Sequence, residues 1–308
     1  MHYLILYLKG MLMGAADLVP GVSGGTIALI TGIYKELLES INSISLSNLK
    51  LWKQQGLKSV WGKINGPFLI AVFGGILSSI LLLSRLLEWL IENHPLVLWS
   101  FFFGLLIASI IYLFRAELSF SMLNVLYVCF GAVISFLVTK LNGGANQSSL
   151  WYLFLSGFIG ISAMILPGLS GAYILVVMGV YQTVLSNVRI AQDLIFNFDQ
   201  TQFINTASIL GVFILGILVG IKVFAKFLSW LLNHYPQRSI AILVGLMIGA
   251  LHKVWPWQNT VADSVKENLA VLPYEYNGDP QILIVITWML IGFGILFLIE
   301  RSKTLLTH

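Results

Sequence analysis

Charge is what this sequence has least of. Only 10% of its 308 residues are Asp, Glu, Lys or Arg, whereas 58% are hydrophobic. A chain of this composition cannot cover its apolar surface with polar side chains, so a water-soluble globular domain is excluded. Its net charge of +4 is too small to indicate a nucleic-acid partner, and we expect none.

Cysteine and the usual catalytic patterns are also scarce. Cys129 is the single cysteine, so no disulfide can form within the chain. The sequence contains no CxxC, HExxH, phosphate-loop or dinucleotide-binding pattern, and no serine stands beside a histidine in a nucleophile–base arrangement. We therefore expect no catalytic residues, no metal and no cofactor, with a proton or ion gradient as the one candidate source of energy.

Continuous apolar segments are abundant. A helix needs about 20 apolar residues to cross a membrane, and these runs do not alternate as the strands of a barrel would. The predicted fold class is an all-α polytopic membrane protein. Six crossings are expected, at residues 67–91, 96–114, 122–140, 207–232, 239–252 and 282–299.

Two short segments interrupt this pattern, and they are similar to each other. Residues 10–34 read GMLMGAADLVPGVSGGTIALITGIY, and residues 157–181 read GFIGISAMILPGLSGAYILVVMGVY. A shift of 147 positions aligns a PGxSG core, and a shift of 141 aligns WLIENHP with WLLNHYP further along each half. These matches indicate an internal duplication, with repeats at 1–145 and 146–308.

Each PGxSG core predicts a break in a helix. Proline lacks a backbone N–H group and glycine adopts conformations closed to other residues, so one helix ends there and another begins behind a capping serine. Residues 3–34 and 150–181 are too short for two crossings each. We predict two re-entrant helical hairpins with their tips near the middle of the membrane, the first with arms of about 13 residues.

Lysine and arginine set the predicted orientation. The excess of lysine in residues 35–66 marks the cytoplasmic side, and Arg301 and Lys303 place the C-terminus there as well. With six crossings and two hairpins, the two repeats have inverted topology, each with one hairpin and three transmembrane helices. Both termini are then cytoplasmic. Secondary transporters commonly have this architecture, with their site at the repeat interface.

The two hairpin tips form the predicted binding site. A helix that begins behind a break points free N–H groups and a positive dipole end at the break, which suits an anion such as phosphate. Tight helix packing is the alternative role for such residues. The predicted phosphate-binding residues of the tips are Pro20, Gly21, Ser23, Gly24, Gly25, Thr26, Pro167, Gly168, Ser170 and Gly171.

Two basic residues could assist these tips. Arg85 and Lys226 align at the shift of 141 and would offer a cation in each repeat. Snorkelling of a long basic side chain towards the membrane interface is an equally strong alternative. Four other glycines align between the repeats, and we expect them to serve helix packing: Gly32 with Gly179 and Gly104 with Gly245.

Two acidic residues are candidates for proton coupling. Asp17 precedes the first tip, where the second repeat has Met164. An acid within the membrane is costly and is by default functional, and the alternative for Asp17 is a cap on the N–H groups of the turn. Glu88 shares a helix face with Arg85 at a spacing of three residues.

The two motifs resemble the signature of the PopT family, long catalogued as domain of unknown function 368. The likeness covers essentially the whole chain in length, duplication and both motifs. It implies a multi-pass translocase of the bacterial inner membrane that returns undecaprenyl phosphate, the lipid carrier of peptidoglycan and other envelope polymers, to the cytoplasmic leaflet. Ala172 and Tyr173 stand where the first repeat has Gly25 and Thr26, so only the first tip is expected to form a full phosphate cradle.

The expected function is therefore that of a flippase. The phosphate head of undecaprenyl phosphate would bind between the paired tips while its tail stays in the lipid. Two alternatives remain open at this point. A small-anion channel or exchanger also suits paired helix N-termini but needs no prenyl tail, and a membrane enzyme acting on lipid phosphates would release inorganic phosphate. No pattern indicates an oligomeric state.

Overall fold

The structure is a computed structural model that describes residues 2–19, 22–45, 47–141, 149–194, 199–260 and 268–306. Within these ranges the chain forms thirteen α-helices and one small antiparallel sheet. The prediction of an all-α membrane fold is confirmed.

Seven helices belong to the first repeat. In chain order they are α1 (His2–Leu18), α2 (Gly24–Ile30), α3 (Tyr34–Ser43), α4 (Ser47–Lys63), α5 (Gly66–Asn93), α6 (Pro95–Ala116) and α7 (Met122–Val138). Six helices belong to the second repeat. They are α8 (Leu150–Ile165), α9 (Gly171–Val177), α10 (Tyr181–Asp193), α11 (Gln200–His234), α12 (Pro236–Ala250) and α13 (Ile282–Leu306).

The lengths and compositions of these helices suit a membrane. By themselves α5, α6 and α11 are long and apolar enough to cross one, and α7, α8 and the Ile282–Leu296 part of α13 are shorter apolar helices. The axes of α9 and α10 meet at 111°, as in a broken span or a re-entrant loop. The chain is thus a multi-pass membrane protein, and the count of six crossings stays a prediction.

The two arms of each hairpin differ in length, so the prediction of arms of about 13 residues is wrong. In the first repeat α1 has 17 residues and α2 has 7, and in the second repeat α8 has 16 and α9 has 7. The short arms end where Gly32 and Gly179 adopt left-handed φ angles of 73° and 69°. In both cases the next amide donates back across the turn, to Ala28 O and Leu175 O, at 3.0 Å.

This arrangement is a Schellman motif, which requires a residue that tolerates positive φ. Gly32 and Gly179 therefore terminate helices, and the prediction that they serve packing is wrong. The reason is conformational, because a residue with a Cβ atom would strain the left-handed backbone at the end of each short arm.

Within each repeat, the long arm of the hairpin packs on the first long helix, α1 on α5 and α8 on α11. Glycine makes both contacts close. A Cβ atom on Gly10 would lie 2.2 Å from Val72 O, and one on Gly75 would lie 2.1 Å from Tyr7 O. The same geometry recurs at the equivalent glycines of the second repeat, Gly157 against Phe213 O at 2.3 Å and Gly216 against Phe154 O at 2.1 Å.

Between the repeats, α6 packs on α13 and α7 packs on α12. A Cβ atom on Gly104 would lie 2.0 Å from Met289 O, and one on Gly245 would lie 2.2 Å from Val128 O. The prediction that these two aligned glycines serve packing is confirmed. The last long helix of each repeat therefore packs on the other repeat, α7 on α12 and α13 on α6, in equivalent contacts.

The contacts also give helix direction. Along α7 and α12 they advance together, from Val128 against Gly245 to Thr139 against His252, so these two helices run parallel. Parallel packing of α7 and α12 is what inverted repeats would produce. If α6 and α7 cross the membrane in opposite directions, then α12, the inverted counterpart of α6, runs in the same direction as α7. The inverted topology and the repeat boundaries at 1–145 and 146–308 stay predictions.

A small non-helical segment follows α12. It begins with a 3₁₀ turn (Leu251–Lys253), pairs strand β1 (Gln258–Thr260) with strand β2 (Asn268–Ala270), and ends in a second 3₁₀ turn (Pro273–Glu275). Trp257 anchors it, because this side chain is buried against α6 and α13 and its Nε1 donates to Pro280 O at 2.8 Å.

Candidate functional site

The two broken segments meet inside the protein. Ser23 Oγ lies 3.2 Å from Met164 O and 3.3 Å from Leu166 O, the carbonyl groups at the end of α8. In return Gly168 N donates to Thr26 Oγ1 at 3.1 Å. Side chains of the first tip thus satisfy backbone groups that the break in the second repeat leaves without a helical partner.

This junction depends on the absence of a side chain at Gly25. A Cβ atom there would lie 2.5 Å from Ile165 O, which is closer than any real Cβ contact. Tyr34, the first residue of α3, also contacts this carbonyl group: its hydroxyl donates a hydrogen bond to Ile165 O at 3.0 Å. The glycine predicted for the first tip therefore permits a backbone approach between the repeats.

In the first tip, nearby side chains accept the hydrogen bonds of the backbone N–H groups at the start of α2. Asp17 Oδ1 accepts a hydrogen bond from Gly24 N at 2.7 Å, and Ser23 Oγ accepts one from Gly25 N at 3.2 Å. The predicted serine cap is present, and Asp17 caps the same helix end. Ser23 and Thr26 are 1% and 0% exposed. In this conformation the carboxylate occupies the place predicted for a bound anion.

The second tip has the same serine cap, but its side chains contact different parts of the protein. Ser170 Oγ accepts from Tyr173 N at 3.5 Å, and Gly171 is buried, since a Cβ atom there would lie 2.7 Å from Gly160 O. Tyr173 stands where the first repeat has Thr26. Its hydroxyl lies 2.9 Å from both Thr139 O and Leu141 O, so this side chain contacts the end of α7.

Pro167 is buried between Leu166 and Gly168 and therefore belongs to this junction. The other predicted site residues lie apart from it or outside the described part. Arg85 and Lys226 are exposed, and within the described residues neither forms a hydrogen bond to a tip. Pro20 and Gly21 lie outside the described residues, as does the side chain of Glu88. The role of these residues in binding stays a prediction.

Two lysines outside the predicted site bind helix C-termini. Lys222 Nζ donates to Ile41 O at 2.8 Å and Asn42 O at 2.6 Å, at the end of α3. Lys9 Nζ donates to Thr31 O at 2.9 Å, at the end of α2. A cation is favourable at the negative end of a helix dipole. Sequence reasoning missed these contacts, because the first joins residues about 180 positions apart and no local pattern reveals it.

Two broken segments that bring irregular backbone together inside a multi-pass membrane protein are typical of membrane transporters. Within the described residues, no three His, Cys, Asp or Glu side chains are grouped so that they could hold a metal ion.

Comparison with known proteins gives the family. The chain belongs to the VCA0040-like, undecaprenyl phosphate translocase-like family, whose model matches residues 13–271. It is 44% identical over 273 residues to the polyprenyl-phosphate transporter of Vibrio cholerae serotype O1, covering 89% of this chain and 84% of that protein. It is 32% identical over 261 residues to the polyprenyl-phosphate transporter of Staphylococcus aureus, covering 81% and 85%. No solved structure matches it.

These findings confirm the resemblance stated from the two motifs. They also confirm the prediction that the protein is a transporter and not an enzyme, so the lipid-phosphate enzyme is set aside.

Proposed function

We propose that the protein translocates polyprenyl phosphate, with undecaprenyl phosphate as its physiological substrate, across the bacterial cytoplasmic membrane. The proposed direction is from the outer to the cytoplasmic leaflet, which would recycle the carrier for peptidoglycan and other envelope polymers. The proposed orientation has both termini in the cytoplasm. Family membership and the names of the two bacterial relatives support the substrate class.

The observation that carries the proposal is the contact between the two tips. A phosphate head cannot cross hydrocarbon without polar partners, whereas a prenyl tail can remain in the lipid. The junction of Ser23 and Thr26 with the second break offers irregular backbone from both repeats at one place. Such backbone is tolerated in a membrane only where protein buries it or where it lines a polar cavity.

In this proposal the carboxylate of Asp17 occupies the phosphate position when no substrate is bound. Its carboxylate accepts the hydrogen bond of Gly24 N, the group at which a phosphate oxygen would bind at the start of α2. An arriving phosphate displaces the carboxylate, and the freed Asp17 takes up a proton because an unpaired charge is costly at this depth. Binding of the head is thereby coupled to a proton gradient.

Movement of the tips relative to each other completes the cycle. With the tips together, as in this structure, Ser23 and Thr26 are closed off from both sides. Separation of the repeats on one side and then the other would expose the head to each leaflet in turn, as in other transporters built from inverted repeats.

A vesicle experiment tests this function directly. Purified protein is reconstituted with undecaprenyl phosphate, and a phosphatase that cannot cross the membrane is added outside. In protein-free vesicles only the outer leaflet is hydrolysed, so about half of the lipid is protected. With the transporter, the protected fraction should fall to near zero. Persistent protection would reject the proposal, and chloride or phosphate flux in the same vesicles would support the small-anion channel or exchanger instead.

A further inference from the structure

Three basic side chains gather where α7 and α12 end. Lys140 follows α7, and His252 and Lys253 lie in the turn that follows α12. His252 Nδ1 lies 2.9 Å from Gly249 O, and its Nε2 lies 3.1 Å from Thr139 Oγ1, so the ring is held between the two helices. Burial, together with the charges of the neighbouring Lys253 and Lys140, lowers the pKa of His252 and favours its neutral ring. We call Lys140, His252 and Lys253 the basic cluster.

Aromatic rings position both ammonium groups of the basic cluster. Lys140 Nζ lies 5.6 Å from the centre of the Phe136 ring, and Lys253 Nζ lies 5.1 Å from the centre of the Tyr173 ring. Such cation–π contacts orient a lysine side chain. Tyr173 belongs to α9, the short arm of the second tip, so the basic cluster is continuous with that tip.

An apolar cavity adjoins the basic cluster. Its volume is about 400 Å³, within the range of about 300–1,000 Å³ typical of small-molecule sites. His252 lies on its wall and therefore belongs to both features. Among the described residues of the wall, Glu275 carries a carboxylate, which accepts a hydrogen bond from Leu272 N at 3.2 Å. The other lining residues are Phe103, Leu251, Trp255, Ala270, Val271 and Leu272.

We propose that the basic cluster and this cavity form a docking site for a polyprenyl monophosphate, separate from the tip junction. The phosphate binds the ammonium groups of Lys140 and Lys253, His252 joins the ends of α7 and α12 between them, and the first isoprene units occupy the cavity. This inference rests on the proposed function and adds a place where the head binds before it reaches the tips.

The chemistry of the ligand follows from the two parts of the site. A phosphate monoester carries about −1.5 to −2 charges at pH 7, which two ammonium groups balance. Charge-assisted hydrogen bonds from lysine to phosphate oxygens are stronger than neutral ones. Inorganic phosphate would satisfy the basic cluster alone, whereas an amphiphile with a branched hydrocarbon chain would also fill the aromatic and aliphatic cavity.

The Tyr173 contact explains how docking would reach the tip. Its hydroxyl is bound to the carbonyl groups of Thr139 and Leu141, and its ring lies under Lys253. A phosphate that draws Lys253 and Lys140 together acts on groups that contact α9 directly. In the first repeat, Thr26 occupies the equivalent position and points to the other tip, so that repeat has no equivalent connection.

Binding of soluble probes to the purified full-length protein tests the docking site. The probes are farnesyl phosphate, farnesol and inorganic phosphate, and Kd is followed by thermophoresis. In Lys140→Gln/Lys253→Gln, the Kd for farnesyl phosphate should rise about tenfold or more because two charged partners are lost. The Kd for farnesol should not change. A matched control, Lys53→Gln/Lys58→Gln, removes the same charge from α4 and should bind farnesyl phosphate as the wild type does.

A second variant separates the cavity from the charge. Leu272→Ser makes the wall polar at an exposed position, so binding of farnesyl phosphate and of farnesol should both weaken, and melting temperatures check the fold. The docking site is overturned if the double lysine variant binds farnesyl phosphate within twofold of wild type, or if inorganic phosphate binds as tightly as farnesyl phosphate. The phosphatase assay on the wild type decides the proposed function independently of either result.

Discussion

The two hairpin tips share one motif but differ in what their polar groups contact. In the first tip, Asp17, Ser23 and Thr26 direct their hydrogen bonds inward, to the start of α2 and to the other repeat. In the second tip, Tyr173 directs its hydroxyl outward to the end of α7. Both tips thus have the break and its serine cap, whereas Thr26 of the first tip aligns with Tyr173 of the second.

The shared features are those that geometry demands of both repeats. Each short arm ends in a glycine with positive φ, and each long arm packs through a pair of glycines on its partner helix. The differing features are polar, Asp17 against Met164 and Thr26 against Tyr173. The comparison suggests a closed tip that binds the head group and an open tip that communicates with the surface.

The largest expected effect follows from adding a side chain at the tip junction. In Gly25→Val the new Cβ would lie 2.5 Å from Ile165 O, so the tips must separate. We expect a loss of about 3 kcal/mol in the free energy of unfolding and near-complete loss of translocation. Ala172→Val, at the equivalent and exposed position of the second tip, is the matched control. Equal damage from both variants would contradict the distinction between a closed and an open tip.

A smaller effect should be the same in both repeats. Gly75→Ala and Gly216→Ala each place a Cβ atom 2.1 Å from a backbone oxygen of the hairpin arm. Each should lower the free energy of unfolding by about 2 kcal/mol, as overpacking does in tight contacts. Denaturant titration in detergent measures both, with Gly211→Ala, whose Cβ would meet nothing within 4 Å, as the control. Unequal losses would argue against structurally equivalent repeats.

The hydrogen bonds of the two tips should differ in strength. Thr26→Val leaves the buried amide of Gly168 without its partner, and we expect a loss of about 1.5 kcal/mol. Tyr173→Phe removes a hydroxyl in a more exposed place and should cost about 0.5 kcal/mol. The same denaturant titration compares them, and a reversed order would show that the second tip is the more constrained one.

The smallest effect on stability should come from Asp17→Asn. The amide oxygen can still accept the hydrogen bond from Gly24 N, so the free energy of unfolding should stay within about 0.5 kcal/mol of wild type. Translocation should lose its pH dependence, because asparagine cannot carry a proton. Initial rates in the phosphatase assay between pH 6 and pH 8 measure this. A wild-type rate and pH profile in the variant would leave Asp17 as a helix cap only.

Much of the architecture could be predicted from the sequence because it depends on local rules. Proline and glycine predicted the breaks, serine predicted both caps, and the alignment of Gly104 with Gly245 predicted helix contacts. The unequal arms were missed, because aligned glycines were assigned to packing when Gly32 and Gly179 instead end helices. Only the backbone angle separates these two uses of glycine.

What the sequence could not predict depends on contacts between distant segments. Lys222 meets α3 across the repeats, and the basic cluster joins the ends of α7 and α12. Lysines at helix ends are common and carry no local sign of a shared site. Tyr173 was recognised as a departure from the first motif, but its contact with Thr139 appears only once the helices are packed.

The most direct test of the account is a reversible cross-link between the tips. In a Cys129→Ser background, Ser23→Cys and Leu166→Cys introduce one thiol into each tip, in two residues joined by a 3.3 Å contact between Ser23 Oγ and the backbone carbonyl oxygen of Leu166. We predict that oxidation forms a disulfide and stops translocation in the phosphatase assay, and that reduction restores it. Translocation at an unchanged rate by the cross-linked protein would contradict the claim that the head group passes between the two tips.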